Sequence, residues 1–208
     1  DGLSLHYYTT PQRTPGRRVD ATNFTHEEYA DTILKAAFIE ELLEKHGAIM
    51  DRYDPERRVG LMVDEWGTWY DVEEGTNPGF LYQQNTMRDA MVAALSLNAF
   101  NQHASRVHMA NIAQLANVLQ AVILTEGENM VLTPTYHVFD LYKVHQGASL
   151  VHSAAIAPQM DNGVRQLSHS ASIDESGAVH VTIANLSDTD GADVALYEAL
   201  FSLPPKYR

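Results

Sequence analysis

The period of the hydrophobic pattern changes several times along the chain. Residues 2–8, GLSLHYY, read as a short strand that ends on His6, Tyr7 and Tyr8. The next stretch, 10-TPQRTPGRRVDATNFT-25, is rich in Pro, Arg and Thr and predicts a long loop. A helix follows, with Thr25 as its N-cap, Glu28 as capping-box partner and Gly47 as its stop. Ile33, Ala37, Ile39 and Leu43 favour one face of it. The unbroken apolar run 59-VGLMV-63 predicts a strand buried on both faces, as in a parallel sheet. Helical patterning then spans 81–104 and 107–119, leads into the apolar run 121-AVILT-125, and returns over 134–150. Strand and helix in alternation predict βα units.

From residue 151 onward the period falls to two. The stretches 165-RQLSHSASID-174 and 178-AVHVTIANLS-187, joined through ESG, predict an antiparallel hairpin on a half-exposed sheet. A boundary near residue 152 follows, with an α/β part over 1–151 and an all-β part over 152–208. The closing ALYEALFSLPPKYR fits a strand, a helix or a frayed end. Because GLSLHYY reads as a strand already under way, the chain is expected to be the later part of a longer protein.

Composition narrows the partners more than the fold. The 208 residues carry 27 acidic against 14 basic side chains, a formal net charge of −13. That charge repels nucleic acid and anionic membranes and points to a neutral or cationic partner. The sequence has no apolar run long enough to span a membrane. Without cysteine, disulfides, thiolate metal sites and a Cys nucleophile are excluded. Ten histidines invite a metal reading, but His103 and His108 stand five apart and no HExxH occurs. Neither a metal nor a cofactor is expected, and GxGxxG, Walker A and GxSxG are missing as well.

The candidate chemistry lies in 59-VGLMVDEWGTWY-70, which sets Asp64 and Glu65 at the end of the apolar run, followed by Trp66 and Trp69. Alternation puts the two carboxylates on opposite faces, so at most one addresses a shared pocket. A strand end turning into solvent would look the same. So would a carboxylate presented beside aromatic walls, the arrangement that sugar hydrolysis uses. His6 and Tyr8 close another strand and could hydrogen-bond a carboxylate or a hydroxyl.

Longer motifs add a resemblance. The runs 61-LMVDEWGTWY-70, 78-PGFLYQQNTMRDAMVAALSLN-98 and 109-MANIAQLANVLQAVILTEGENMVLTPTYHVFDLYKVHQ-146 resemble the α-L-arabinofuranosidases of glycoside hydrolase family 51. The resemblance implies the later portion of a (β/α)8 TIM barrel, its sixth to eighth strands, followed by an antiparallel β-sandwich segment. It implies a retaining hydrolase that releases terminal α-L-arabinofuranosyl units from arabinan- or arabinoxylan-type oligosaccharides. Glu65 matches the family's nucleophile at the end of the seventh strand. His6 matches a histidine near it, Tyr8 a substrate-contacting tyrosine, Trp69 a pocket tryptophan and Gln114 a glutamine that reaches the sugar. Asp64 and Trp66 match supporting positions. A homo-oligomer and a cytoplasmic location are further expectations.

The departure from the family pattern concerns the second carboxyl. The family's acid/base is a glutamate after an asparagine on the fourth strand, and that position would precede residue 1. A segment or second chain carrying the first barrel strands and the acid/base is therefore expected as a partner. The sandwich, too, needs more strands than follow 191-GADV. Two alternatives stand beside this reading. One is an endo-acting glucanase or xylanase of the same family, and the other is a non-catalytic fragment.

Overall fold

The structure is a computed structural model and describes residues 1–197; the closing stretch from 198 onward lies outside the described residues. In chain order the elements are β1 (Gly2–Thr9), β2 (Gln12–Thr14), β3 (Arg17–Arg18), α1 (His26–Tyr53), β4 (Gly60–Thr68), α2 (Met87–Gln102) and β5 (Val107–Ile112). Then follow β6 (Ile123–Glu126), β7 (Asn129–Leu132), α3 (Pro134–Tyr142), β8 (Ser149–Leu150), β9 (Leu167–Ile173) and β10 (Val179–Asn185). The long 10–25 loop contains the small β2–β3 hairpin.

Three parallel strands in the order β1-β4-β5 form the first sheet, and α1 and α2 are its crossovers. Capping starts α1 as predicted: the Thr25 side chain accepts from Glu28 N, and the Glu28 side chain accepts from Thr25 N. Gly47 does not stop it. A mid-helix glycine costs about 1 kcal/mol, while the next turn buries Met50 against the core. The helix ends instead at Asp54, whose carboxylate accepts from the backbone N–H groups of Arg58 and Val59. Asp54 and Asp51 also accept from the buried Arg106 guanidinium, which pins this end of α1 to the chain entering β5.

Two helical expectations fail. Residues 81–86 are not helical, and α2 begins after Thr86, which forms a capping box with Asp89. The stretch 107–119 is not a helix, for its first six residues are β5, an edge strand that supplies the third parallel strand. Val107, Ile112, Leu115 and Leu119 mimic a helical stripe, yet a strand here satisfies the β4 edge. The run 121-AVILT-125 consequently lies outside the parallel sheet, and β6 pairs with β7 in a separate hairpin. The last helical pattern is cut short, since α3 ends at Tyr142 and only a 3-10 turn over Lys143–His145 follows.

The main core fills the space between the parallel sheet and its helices. Ile33, Ile39 and Leu43 of α1, Leu61, Val63 and Trp66 of β4, and Val92, Ala93 and Phe100 of α2 all belong to it. Trp66 is its largest member, edge-on to Phe100 at 5.3 Å and stacked near Phe139 at 6.0 Å.

The second sheet runs β10-β9-β8, and the predicted hairpin is present in full register from Val179↔Ile173 to Asn185↔Leu167. Its polar face is the one that packs on α2. Ser168, Ser170 and Thr182 converge on Asn98, and His145 reaches Ser172 and Thr182. Val179, Val181 and Ile183 lie on the other face and are exposed among the described residues.

Candidate active site

The carboxyl ends of β1 and β4 lie side by side, and a bulge decides which side chains meet there. Leu5 pairs with Val63 but His6 pairs with Glu65, so Asp64 is an extra residue without a partner in the register. Strict alternation would send Glu65 to the face of Leu61 and Val63, where the core would bury its charge. The one-residue insertion moves Trp66 to that face and Glu65 to the opposite one. The expected strand end at Val63 is thus wrong: β4 continues to Thr68, and the acidic pair lies within it.

Tyr7 and Tyr8 separate in the same way. The Tyr7 hydroxyl donates to the Lys35 carbonyl of α1 on the helix side. Tyr8, on the other side, donates from its hydroxyl to Glu65 Oε2 at 2.7 Å. His6 Nδ1 stands 3.7 Å from the same oxygen. Burial, and then the hydrogen bond to the Glu65 carboxylate, hold the Tyr8 phenol above its ordinary range, so it stays protonated and keeps donating. The Glu65 side chain is 44% exposed, and Oε1 has no hydrogen-bond partner among the described residues. A carboxylate held at one oxygen and open at the other is suited to attack or to electrostatic stabilisation.

Trp69 completes the group, its ring edge-on to Tyr8 at 5.2 Å. Sequence reasoning missed its other neighbour, the Arg18 guanidinium, 4.8 Å over the ring. Trp69 N donates to the Thr9 carbonyl and Asp71 N to the Val19 carbonyl, so the backbone leaving β4 is tied to the loop after β1. Gln114 is not gathered in. It lies exposed in the loop after β5, at the same end of the sheet, following a cis Ala113–Gln114 peptide, and makes no hydrogen bond to this group among the described residues.

Behind the site is a buried polar layer that no spacing announced. Thr68 N donates to Gln120 Oε1 at 2.9 Å, and Thr68 Oγ1 donates to Asp89 Oδ1 at 2.7 Å. Tyr70 N donates to Gln83 Oε1 at 2.9 Å. Gln120 Nε2 donates in turn to the Asp89 carbonyl and to Thr135 Oγ1. Burial pushes the Asp89 carboxyl above its usual range, against the pull of these donors. Gly67 belongs to the same junction: its φ is +141°, and a Cβ there would meet Gln120 at 3.4 Å. Arg88 lies buried between Phe24 and Tyr70, 3.7 and 3.9 Å from their ring centres, and donates to the Asp20 and Ala21 carbonyls. The one signal available was Thr86-x-x-Asp89 ahead of an apolar run, which marks a helix start.

Among the described residues no three His, Asp or Glu side chains converge as a metal site would require. No helix among them is long and apolar enough to cross a membrane.

Known proteins give this geometry a context. The family model described as the alpha-L-arabinofuranosidase C-terminal domain matches residues 64–199. An intracellular exo-alpha-L-arabinofuranosidase of Bacteroides ovatus is 46% identical over 200 residues, covering 94% of this chain and 39% of the relative. The crystal structure of the GH51 arabinofuranosidase from Xanthomonas axonopodis pv. citri matches with a TM-score of 0.83 at 50% identity, covering 89% of this chain and 38% of that one. The alpha-L-arabinofuranosidase of Thermotoga maritima, solved as an arabinose complex, shares the fold with a TM-score of 0.68 at 23% identity, over 89% of this chain and 38% of its own. The chain spans about two fifths of the length of these relatives. With the family model covering well over half of its residues, the chain belongs to the α-L-arabinofuranosidase C-terminal domain family, in agreement with the family 51 likeness of its motifs.

Proposed function

We propose that this chain supplies the nucleophile of a retaining exo-acting α-L-arabinofuranosidase and that Glu65 is that nucleophile. The observation that carries the reading is the 2.7 Å hydrogen bond from the Tyr8 hydroxyl to Glu65 Oε2, made across the ends of two adjacent parallel strands. That bond fixes the carboxylate beside Trp69, whose ring offers an apolar wall to a sugar. In this reading Glu65 attacks the anomeric carbon as the glycosidic bond breaks, forming a covalent arabinosyl-enzyme. A glutamate on a barrel segment outside this chain protonates the departing oxygen and then deprotonates the water that releases arabinose. A retaining pair stands about 5–5.5 Å apart, so that segment must close over the face carrying His6, Tyr8 and Glu65. His6 orients Glu65, and Gln114 reaches the sugar once the barrel is complete.

Residues 1–151 are then the last three strands of a (β/α)8 barrel and residues 152–208 a segment of a β-sandwich. The exposed apolar face of β10 supports the sandwich, since such a face needs a second sheet over it. The exo mode and an intracellular location follow the Bacteroides ovatus relative's name.

Glu65→Gly in the full-length enzyme tests the assignment. Turnover of an aryl α-L-arabinofuranoside should fall by orders of magnitude. Azide should restore part of it by entering the vacated space and giving an arabinosyl azide of inverted configuration. Near-normal turnover of the variant without azide would overturn the reading.

A further inference from the structure

The loop after β1 carries Arg13, Arg17 and Arg18, and the β2–β3 hairpin sorts them. Gly16 makes its turn at φ +84°, and Gln12 pairs with Arg18 and Thr14 with Arg17 across it. Neighbouring residues on a strand point to opposite faces, so Arg17 and Arg18 separate. Arg17 Nε lies 3.4 Å from Asp71 Oδ2, and its Nη2 lies 3.8 Å from Asp20 Oδ1. Arg13 is likewise taken up by carboxylates, by Asp20 at 2.7 Å and Glu28 at 2.6 Å. Arg18 differs. Its guanidinium makes no hydrogen bond or ion pair among the described residues and lies 4.8 Å over the Trp69 ring.

The backbone fixes both members of this pair. Arg18 N donates to Asp71 Oδ1 at 3.3 Å, and Asp71 N donates to the Val19 carbonyl at 3.1 Å. Val19 N donates in turn to the Pro11 carbonyl, and the Val19 side chain is fully buried. Trp69 N is held by the Thr9 carbonyl at 2.9 Å. A planar guanidinium set over an indole face is attracted to the ring and restricts its tilt. From the ring the contacts run on to the carboxylate: Trp69 meets Tyr8 edge-on at 5.2 Å, and the Tyr8 hydroxyl donates to Glu65 Oε2 at 2.7 Å. We propose that Arg18 is a positioning residue for the sugar pocket, its guanidinium clamping the Trp69 ring at the angle from which it backs Tyr8 and walls the space beside Glu65. This rests on the arabinofuranosidase reading and adds what holds the aromatic wall in place. Such a wall touches the sugar alike before and during reaction, so loss of the clamp falls on KM rather than on kcat.

The test uses the full-length enzyme labelled with 5-fluorotryptophan, with the Trp69 signal assigned by its disappearance in Trp69→Phe. Arg18→Met keeps the length of the stem and removes the cation. It should shift or broaden the Trp69 fluorine signal and raise KM for an aryl α-L-arabinofuranoside about fivefold with kcat unchanged. Arg17→Met removes the same charge one residue away and should leave both the signal and KM as they were. In a Trp69→Leu background, Arg18→Met should cost nothing further, since the clamp then has no ring to hold. An unmoved Trp69 signal overturns the clamp. So does an equal response to Arg17→Met, or a loss that adds in full to that of Trp69→Leu. Failure of the underlying activity shows up separately, as an unmutated enzyme inert toward the aryl substrate, and the fluorine signal still decides whether Arg18 holds the ring.

Discussion

The two tyrosines at the end of β1 do different work although they are neighbours in sequence. Tyr7 donates to a helix carbonyl on the core side, and Tyr8 donates to the Glu65 carboxylate on the open side. A hydrogen bond to a charged group is worth about 1.5–3 kcal/mol, against about 1 for a neutral one. In the full-length enzyme, Tyr8→Phe should therefore lower kcat/KM on an aryl α-L-arabinofuranoside by roughly ten- to a hundredfold. Tyr7→Phe should leave kcat/KM unchanged and lower only stability, by about 1 kcal/mol. Equal loss of activity in both variants would mean that Tyr8 acts through folding rather than through Glu65. At this scale the site was partly legible in the sequence. Glu65, Tyr8, His6 and Trp69 lie at the ends of recognisable apolar runs, and the structure brings them together. Asp64 as a bulge was not legible, because an inserted residue looks like any other until a partner strand sets the register. Arg18 was hidden for a similar reason: a loop composition says nothing about which ring an arginine will cover.

Elements were legible where one face alone decides them. The N-terminal capping box of α1 and the period-two hairpin of β9 and β10 follow from local chemistry, and both are present. β5 was lost because the spacing of Val107, Ile112, Leu115 and Leu119 imitates a helical stripe, and a six-residue strand that buries little adds no alternation to set against it. Nor does a pattern tell which face of a sheet meets a helix, and α2 receives the serine and threonine face of β9 and β10. His145 sits in that polar seam, with Nδ1 2.7 Å from Ser172 Oγ and Nε2 3.1 Å from Thr182 Oγ1. His180 faces it and is paired with Asp174, while Lys143 and Asp140 pair with each other nearby. Burial, and then the positive field of His180, hold the His145 imidazole below its ordinary range. A base depressed in the folded state stabilises the fold when neutral. That contribution is complete above the unfolded value of about 6.5 and is lost as pH falls below it toward the depressed folded value. His103 carries the opposite sign, because hydrogen bonding to Glu40 raises it. The contribution of His145 is accordingly read as the stability difference between wild type and His145→Gln, by chemical denaturation. That difference should shrink as pH is lowered from 7 through the histidine range, and a difference that stays constant would remove His145 from the pH response.

At the scale of the molecule, two surfaces behave like interiors awaiting a cover. One is the face of the parallel sheet with His6, Tyr8 and Glu65. The other is the face of the antiparallel sheet with Val179, Val181 and Ile183, each at least 40% exposed among the described residues. A soluble protein seldom leaves a row of β-branched side chains open along a strand that is also a sheet edge. The proposed sandwich resolves this by laying a second sheet over β10, with side chains interdigitating across about 10 Å. Val181 lies mid-strand and is the position where the two cases differ most. If the face is covered in the full-length enzyme, Val181→Asp forces a carboxylate into an apolar layer and should cost at least about 3 kcal/mol. If the face meets water there, the same change should stay within about 0.5 kcal/mol, as surface substitutions do. Val181→Thr keeps the β-branch and adds only a hydroxyl, so it separates loss of strand propensity from loss of burial. Denaturation midpoints of the two variants decide the matter. A stable Val181→Asp enzyme would leave this face of β10 open to water and take away the sandwich reading, while the site at Glu65, on the other sheet, would stand unaffected.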